Sequence, residues 1–123
     1  MNSKARSYWF GIAGALVCAA APAQSPPSNS PQVQHGQEVF DTWCTYCHTR
    51  ASEKYPTPPG TGALGKRYQT AKPAALEDRT DLPAALVLTV VRNGLNSMPP
   101  FRKTEVSDAD LQAVAAYLSR NSH

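Results

Sequence analysis

Five consecutive residues, Cys44-Thr45-Tyr46-Cys47-His48, constrain this chain more than any other feature of its sequence. Two cysteines separated by two residues and followed at once by histidine are typical of covalent haem attachment. In a helix, Cys44 and Cys47 lie about one turn apart on one face, so both thiols can add to the vinyl groups of one porphyrin. His48 follows directly and can bind the iron beneath the same ring. The motif therefore predicts one covalently bound haem c, held by Cys44 and Cys47, with His48 as an axial iron ligand.

Met98 is the predicted second axial ligand. Met1 is the other methionine of the chain, and it lies in a segment that we expect to be removed. Met98 precedes Pro99, which favours an extended backbone and a stiff loop around the sulphur atom. His35 is the alternative, but it shares a predicted helix with the haem motif, which makes it a surface residue in most arrangements. Ligation by His48 and Met98 would leave no open coordination position, as in an electron carrier.

Other chemistries of two closely spaced cysteines fit the chain less well. A dithiol redox pair of the thioredoxin type needs a βαβ setting, which the sequence does not indicate. A structural zinc site usually needs four protein ligands. Here they would be Cys44, Cys47, His48 and either His35 or His123, and adjacent Cys47 and His48 give poor tetrahedral geometry.

The N-terminus reads as a secretory signal peptide covering residues 1–23. Lys4 and Arg6 supply the positive start, an uncharged and mostly apolar run follows, and Ala21-Pro22-Ala23 forms a small-x-small cleavage site. Cleavage near Ala23 would place the protein in the periplasm. A Pro/Ser-rich segment, residues 24–32, then reads as a flexible tail before a domain at 33–123.

Two alternatives for this N-terminus are disfavoured. The apolar run is short for an uncleaved membrane anchor, which needs roughly 20 apolar residues. Lipidation at Cys18 is disfavoured because Val17 stands where lipoprotein signals have a small residue. No second hydrophobic segment follows, so no stable membrane insertion is expected.

Cleavage changes both the charge and the cysteine count. Removing Lys4 and Arg6 leaves 10 basic and 9 acidic residues, a net charge of about +1. A balance so close to neutral predicts no strong attraction to nucleic acid. Removing Cys18 leaves only the two cysteines of the haem motif, so no disulfide framework is expected.

Apolar periodicity predicts an all-α protein with three main helices. The first runs from Pro31 or Gln32 to Cys47, with Gly36 placed where another helix crosses closely. A loop is predicted over 49–67, with a backbone carbonyl that orients His48, and a short helical turn within 70–79. The second main helix starts at a cap at Thr80 or Asp81 and ends at Asn93-Gly94, with an apolar face made of Leu86, Val87, Val90 and Val91. The last begins at the N-cap Ser107 and buries Leu111, Val114, Ala115 and Leu118.

The chain resembles the class I c-type cytochromes over about residues 33–120. The resemblance rests on Gly36 and Phe40, on the haem motif, on Asn93-Gly94 before the Met98-Pro99 loop, and on the last helix with Tyr117. It implies a cytochrome c-like fold wrapped around one haem and a crossing of the first and last helices at Gly36. One departure is the stretch before Leu64, which lacks the proline whose carbonyl bonds the axial histidine in that family.

The resemblance implies a one-electron carrier that works with redox protein partners and transforms no substrate. Arg92-Asn93-Gly94 followed by Met98-Pro99 is also similar to the cytochrome subunits of flavoprotein dehydrogenases that oxidise p-cresol-type phenols. That similarity implies a tightly bound subunit with a flavoprotein as its electron donor. A haem enzyme with an open iron position is the third reading, and it requires that Met98 is not a ligand.

Overall fold

A computed structural model describes Pro27 and residues 29–122. Within them the chain forms five α-helices: α1 (Pro31–Trp43), α2 (Thr45–His48), α3 (Pro59–Tyr68), α4 (Ala84–Asn93) and α5 (Asp108–Ser119). A 3₁₀ turn, Leu76–Asp78, precedes α4. The described part contains no strand beyond an isolated bridge between Leu95 and Met98. The all-α prediction is confirmed, whereas the predicted signal peptide, residues 1–23, lies outside the described residues.

Helix α1 begins close to the predicted position because its local signals are strong. The Ser30 hydroxyl accepts a hydrogen bond from the Val33 amide at 3.3 Å, and Pro31 occupies the first helical position. Proline is tolerated there because its missing N–H would have no partner within the helix. The helix ends at Trp43 and not at Cys47. Cys44, with φ −115° and ψ −31°, separates it from the single turn of α2.

The core lies mainly between α1 and α5, and α4 also packs against α5 and contributes Val87 to the same core. Gly36 is the point of closest approach. A Cβ atom built at Gly36 would lie 2.0 Å from the Ala113 carbonyl oxygen and 2.9 Å from the Tyr117 Cβ. Phe40, one turn further along α1, is fully buried and its ring lies 5.6 Å from that of Tyr117. The predicted crossing of the first and last helices is confirmed.

Helix α5 follows its sequence signals most closely. Ser107 caps it by accepting a hydrogen bond from the Asp110 amide at 3.1 Å. The predicted apolar stripe is buried along its length, together with Val106 before the cap; its members are Leu111, Val114, Ala115 and Leu118. The helix ends at Ser119.

The prediction of a loop over 49–67 is wrong for residues 59–67, which form most of α3. Pro59 begins the helix and the preceding Pro58 is extended, with ψ 123°. The glycines of α3 reduce its intrinsic stability, but its first turn is packed against the haem motif through Gly60. Tertiary contact thus overrides the loop-like composition.

Helix α4 differs from its prediction at the start and in its buried face. It begins at Ala84 after the N-cap Pro83, and not at Thr80 or Asp81. The Asp81 carboxylate forms ion pairs with Lys72 and Arg79 and does not cap the helix. Leu86 is 46% exposed, whereas Val87 is buried. The residues of α4 that face the core are Ala84, Val87, Leu88 and Val91, which follow the i, i+3, i+4, i+7 spacing of one helix face. The end at Asn93 and the positive φ of Gly94 (+72°) are as predicted.

Candidate functional site

The haem motif forms one hydrogen-bonded turn at the junction of α1 and α2. The Cys44 amide donates to the Phe40 carbonyl at 2.8 Å, and the Cys44 carbonyl accepts from the amides of Cys47 at 3.1 Å and His48 at 2.9 Å. Both cysteines are half-buried free thiols. The motif is therefore fixed to the end of α1, whose inner face is buried against α5.

Burial keeps the Cys44 sulphur uncharged. It raises the pKa of the Cys44 thiol to about 12, and the neighbouring Cys47 contributes in the same direction. The group is thus a neutral thiol at physiological pH. A thioether at the same position would also be uncharged, so the apolar surroundings suit a covalently bound haem.

Met98 is presented by a tight turn directly after α4. The Leu95 amide donates to the Met98 carbonyl and the Met98 amide donates to the Leu95 carbonyl, both at 3.0 Å. Gly94 and Asn96 have positive φ angles of 72° and 54°. A Cβ at Gly94 would lie 2.7 Å from the Met98 carbonyl oxygen. The turn therefore needs glycine at position 94 for its conformation and for its space.

Cys44 and Met98 line the same apolar cavity, although 54 positions separate them in the sequence. Its volume is about 20 Å³, and its other lining residues come from α1, α4, α5 and the connection before α5: Val39, Trp43, Val91, Phe101, Val106, Leu111 and Val114. A larger open cleft of about 530 Å³ runs along residues 93–100. The fold thus brings one predicted haem-attaching thiol and the predicted thioether ligand to one apolar region.

His48 lies on α2 and does not line that cavity. Its Nδ1 atom is buried without a hydrogen-bond partner among the described residues. Burial lowers the pKa of His48, which favours the neutral imidazole that binds a metal ion. The predicted backbone carbonyl for Nδ1 is not found, so that prediction is wrong. The Pro58 carbonyl, directly before α3, accepts a hydrogen bond from the Gly62 amide at 2.8 Å.

Two residues of α3 hold the haem motif, and the sequence interpretation missed both because it treated this stretch as loop. A Cβ at Gly60 would lie 2.6 Å from the His48 Cε1 atom and 2.7 Å from the Cys47 carbonyl oxygen. The Thr61 hydroxyl lies 2.7 Å from the Thr49 carbonyl oxygen, to which it donates. A glycine beside a proline pair was the available signal, and it indicates close backbone approach as readily as a turn.

Arg92 fastens the far end of the Met98 loop. Its Nη1 donates to the Phe101 carbonyl at 3.1 Å, and its Nη2 donates to the Asp108 carboxylate at 2.8 Å. The Phe101 amide in turn donates to the Val91 carbonyl at 2.9 Å. The loop that carries Met98 is therefore tied at its end to both α4 and the start of α5.

The alternative ligand His35 is engaged elsewhere. Its Nε2 lies 2.7 Å from an Asp110 carboxylate oxygen, and its Nδ1 lies 3.6 Å from Glu38. These contacts lie on the exposed outer side of the crossing of α1 and α5. Among the described residues, no group of three or more His, Cys, Asp or Glu side chains is arranged to hold a metal ion.

The residues present fit a covalently bound haem. Cys44, whose thiol burial keeps uncharged, and the Met98 thioether line one apolar cavity, and the His48 Nδ1 atom has no hydrogen-bond partner among the described residues. These are the groups that attach haem c and that bind its iron.

Comparison with known proteins also supports a protein that binds haem c. The family model described as cytochrome c oxidase, cbb3-type, subunit III matches residues 31–118. The cytochrome c subunit of the hydroxylating 4-cresol dehydrogenase of Pseudomonas putida is 31% identical over 104 residues, which cover 85% of this chain and 72% of the relative. This chain belongs to the class I c-type cytochromes. The cytochrome c6 of Cyanidium caldarium is 29% identical over 89 residues, or 72% of this cytochrome and 71% of that one.

A solved structure is also similar to this chain. A chain in the crystal structure of p-cresol methylhydroxylase with substrate bound is 32% identical and gives a TM-score of 0.46. The match covers 72% of this cytochrome and 93% of that chain.

The cytochrome binds one covalent haem c and carries electrons between redox proteins. It is an electron-transfer protein and not itself an enzyme, which removes the reading as a haem enzyme with an open iron site. In the part of the chain that the structure describes, no helix has the length and apolar character needed to cross a membrane.

Proposed function

We propose that Cys44 and Cys47 carry the haem c through thioether bonds and that His48 and Met98 bind its iron. The observation that carries this proposal is the cavity that Cys44 and Met98 share. When bound, haem c supplies an iron that exchanges one electron between Fe(III) and Fe(II). The Met98 thioether lies on a hydrogen-bonded turn, and the His48 imidazole lies on a turn that packs against α3. The positions of these two ligands should therefore change little between the Fe(III) and Fe(II) states.

The optical spectrum of the haem-loaded protein tests the ligand set. The oxidised protein should show the weak far-red band of an iron–methionine bond, and Met98→Ala should abolish it and lower the reduction potential. His48→Ala should abolish stable low-spin ligation. His35→Ala is the matched control and should leave the spectrum unchanged. A far-red band that survives Met98→Ala would refute Met98 as the ligand.

The N-terminal assignments remain part of the proposal. Residues 1–23 act as a signal peptide cleaved near Ala23, and the cytochrome domain, which begins with α1 at Pro31 and not at residue 33, acts in the periplasm. Support comes from the charge and apolar pattern of the first 23 residues. Mass spectrometry of exported protein should find Gln24 at the N-terminus. An intact N-terminus on a membrane-associated protein would contradict cleavage.

A flavoprotein dehydrogenase of the p-cresol-oxidising type is a second proposal, concerning the electron donor. The cytochrome subunit of 4-cresol dehydrogenase matches 104 residues of this chain, whereas the cytochrome c6 of Cyanidium caldarium matches 89. Co-purification with a flavoprotein at fixed stoichiometry would support a bound subunit. Isolation as a monomer that exchanges electrons with several partners would instead support a freely diffusing carrier.

A further inference from the structure

Glu77, in the 3₁₀ turn before α4, has a largely buried carboxylate with a partner for each oxygen. Its side chain is 14% exposed. Oε1 accepts a hydrogen bond from the Tyr117 hydroxyl at 3.1 Å, and Oε2 accepts one from the Thr49 hydroxyl at 3.3 Å. The Arg50 guanidinium lies 3.7 Å from Oε2. One carboxylate therefore joins α5 to the two residues that directly follow His48.

Thr49 is held from its other side by α3. Its carbonyl accepts the hydrogen bond from Thr61, and its amide donates to the Thr45 carbonyl at 3.1 Å. All three polar groups of Thr49 thus have partners, and each partner lies on a different element. This residue fixes the C-terminal end of the turn that carries His48.

Tyr117 gives this arrangement a rigid anchor. Its ring is 4% exposed, packs against Phe40 and is covered by the Arg120 guanidinium, 4.0 Å from the ring centroid. Burial, with Glu77 acting in the same direction, raises the pKa of Tyr117 to about 12. The hydroxyl therefore keeps its proton and remains a hydrogen-bond donor to Glu77.

We infer that Glu77 is a positioning residue for His48: it clamps Thr49 and Arg50 to α5 and places a fixed negative charge beside the iron-binding segment. The inference rests on the proposed role of His48 as an iron ligand. Two consequences follow. The turn at His48 should loosen when the carboxylate is removed, and the buried charge should stabilise the ferric form relative to the ferrous form.

Glu77→Gln in the haem-bound protein tests both consequences. Hydrogen exchange at the amides of His48 and Thr49, followed by NMR, should become about tenfold faster. The glutamine NH2 group cannot accept the hydrogen bond that Thr49 donates, and the neutral amide loses the ion pair with Arg50. The reduction potential should rise. Glu53→Gln is the matched control, since it removes the same charge from an exposed residue five positions after His48. It should leave exchange unchanged and shift the potential less.

Tyr117→Phe is the second variant, and it keeps the inference testable if Glu77→Gln fails to accumulate. It removes one hydrogen bond to Glu77 and retains the ring and the charge. Exchange at His48 and Thr49 should be faster than in the unaltered protein, with a smaller change in potential than in Glu77→Gln. Unchanged exchange in Tyr117→Phe would overturn the clamp.

The outcomes separate this inference from the proposed ligand set. The ligand set is judged on the spectrum of the unaltered protein and of Met98→Ala, without reference to Glu77. Glu77→Gln that matches Glu53→Gln in both exchange and potential would overturn the positioning role. If Glu77→Gln exchanges faster but shifts the reduction potential no more than Glu53→Gln does, Glu77 has only a structural role. That result would also overturn the inference.

Discussion

The backbones of Gly36 and Ala113 touch where α1 crosses α5. The Ala113 carbonyl oxygen occupies the space that a side chain at position 36 would need, 2.0 Å from an ideal Cβ. The crossing brings Phe40 against Tyr117 and so builds the central part of the core. Any side chain at position 36 must separate the two helices.

Gly36→Ala should therefore destabilise the haem-bound protein. Alanine gains about 1 kcal/mol of helix propensity, but overpacking against a backbone carbonyl costs more, so a net loss of about 1–3 kcal/mol is expected. Denaturant unfolding followed by haem absorbance measures it. Gly62→Ala is the control, because a Cβ there meets nothing within 4 Å. The control should gain about 0.5–1 kcal/mol. Equal effects at the two positions would contradict the tight crossing.

Gly60→Ala should disturb His48 more than it disturbs the fold. The added methyl group would lie 2.6 Å from His48 Cε1 and 2.8 Å from Nδ1, so the ring or the first turn of α3 must move. We expect a lower yield of haem-loaded protein and a weaker low-spin spectrum. Gly62→Ala, in the same helix, should be loaded normally. A normal spectrum in Gly60→Ala would show that α3 does not constrain the imidazole.

Arg92→Ala should weaken the attachment of the Met98 loop. The variant loses the hydrogen bonds to the Phe101 carbonyl and to Asp108 from a side chain that is 21% exposed. Global stability should fall by about 1 kcal/mol. The far-red band should disappear at lower temperature than the α-helical circular dichroism. Arg102→Ala removes an ion pair from a side chain that is 79% exposed and should change stability much less than Arg92→Ala does.

His35 should stabilise the protein more in acid than in base. Its hydrogen bond to Asp110 raises the pKa of His35 above its ordinary value of 6.5. A raised pKa means that the contribution is fully present below the unfolded pKa and is lost as pH rises through the folded pKa. The stability difference between the unaltered protein and His35→Ala should therefore be larger below pH 6.5 than well above it. Gln37→Ala, on the same helix, should give a difference that is flat with pH.

The elements that local chemistry specifies were predictable from the sequence. The Ser107 cap and the four-residue stripe of α5 depend on neighbours within one or two turns, and both are present as predicted. Gly36 was also informative, because a glycine that weakens a helix needs a compensating contact. The haem motif identified the cofactor from five residues.

The remaining features depend on contacts between distant residues. Helix α3 resembles a loop in composition, and its first turn packs against the haem motif through Gly60. Leu86 faces outward because the position of α5, and not the period alone, selects the buried face of α4. Glu77 carries no local signal, since its partners lie 28 and 40 positions away in the sequence. The roles of such residues can be recognised only from the folded structure.

The crossing of α1 and α5 also sets an order of events in biosynthesis. Helix α1 emerges from the ribosome, and crosses any export channel, ahead of its packing partner α5, with the haem motif and about 60 further residues between them. Until α5 arrives, the Phe40 ring lacks its contact with Tyr117, and α1 lacks the helix against which it packs most. The core between α1 and α5 can therefore form only after nearly the whole chain has been made.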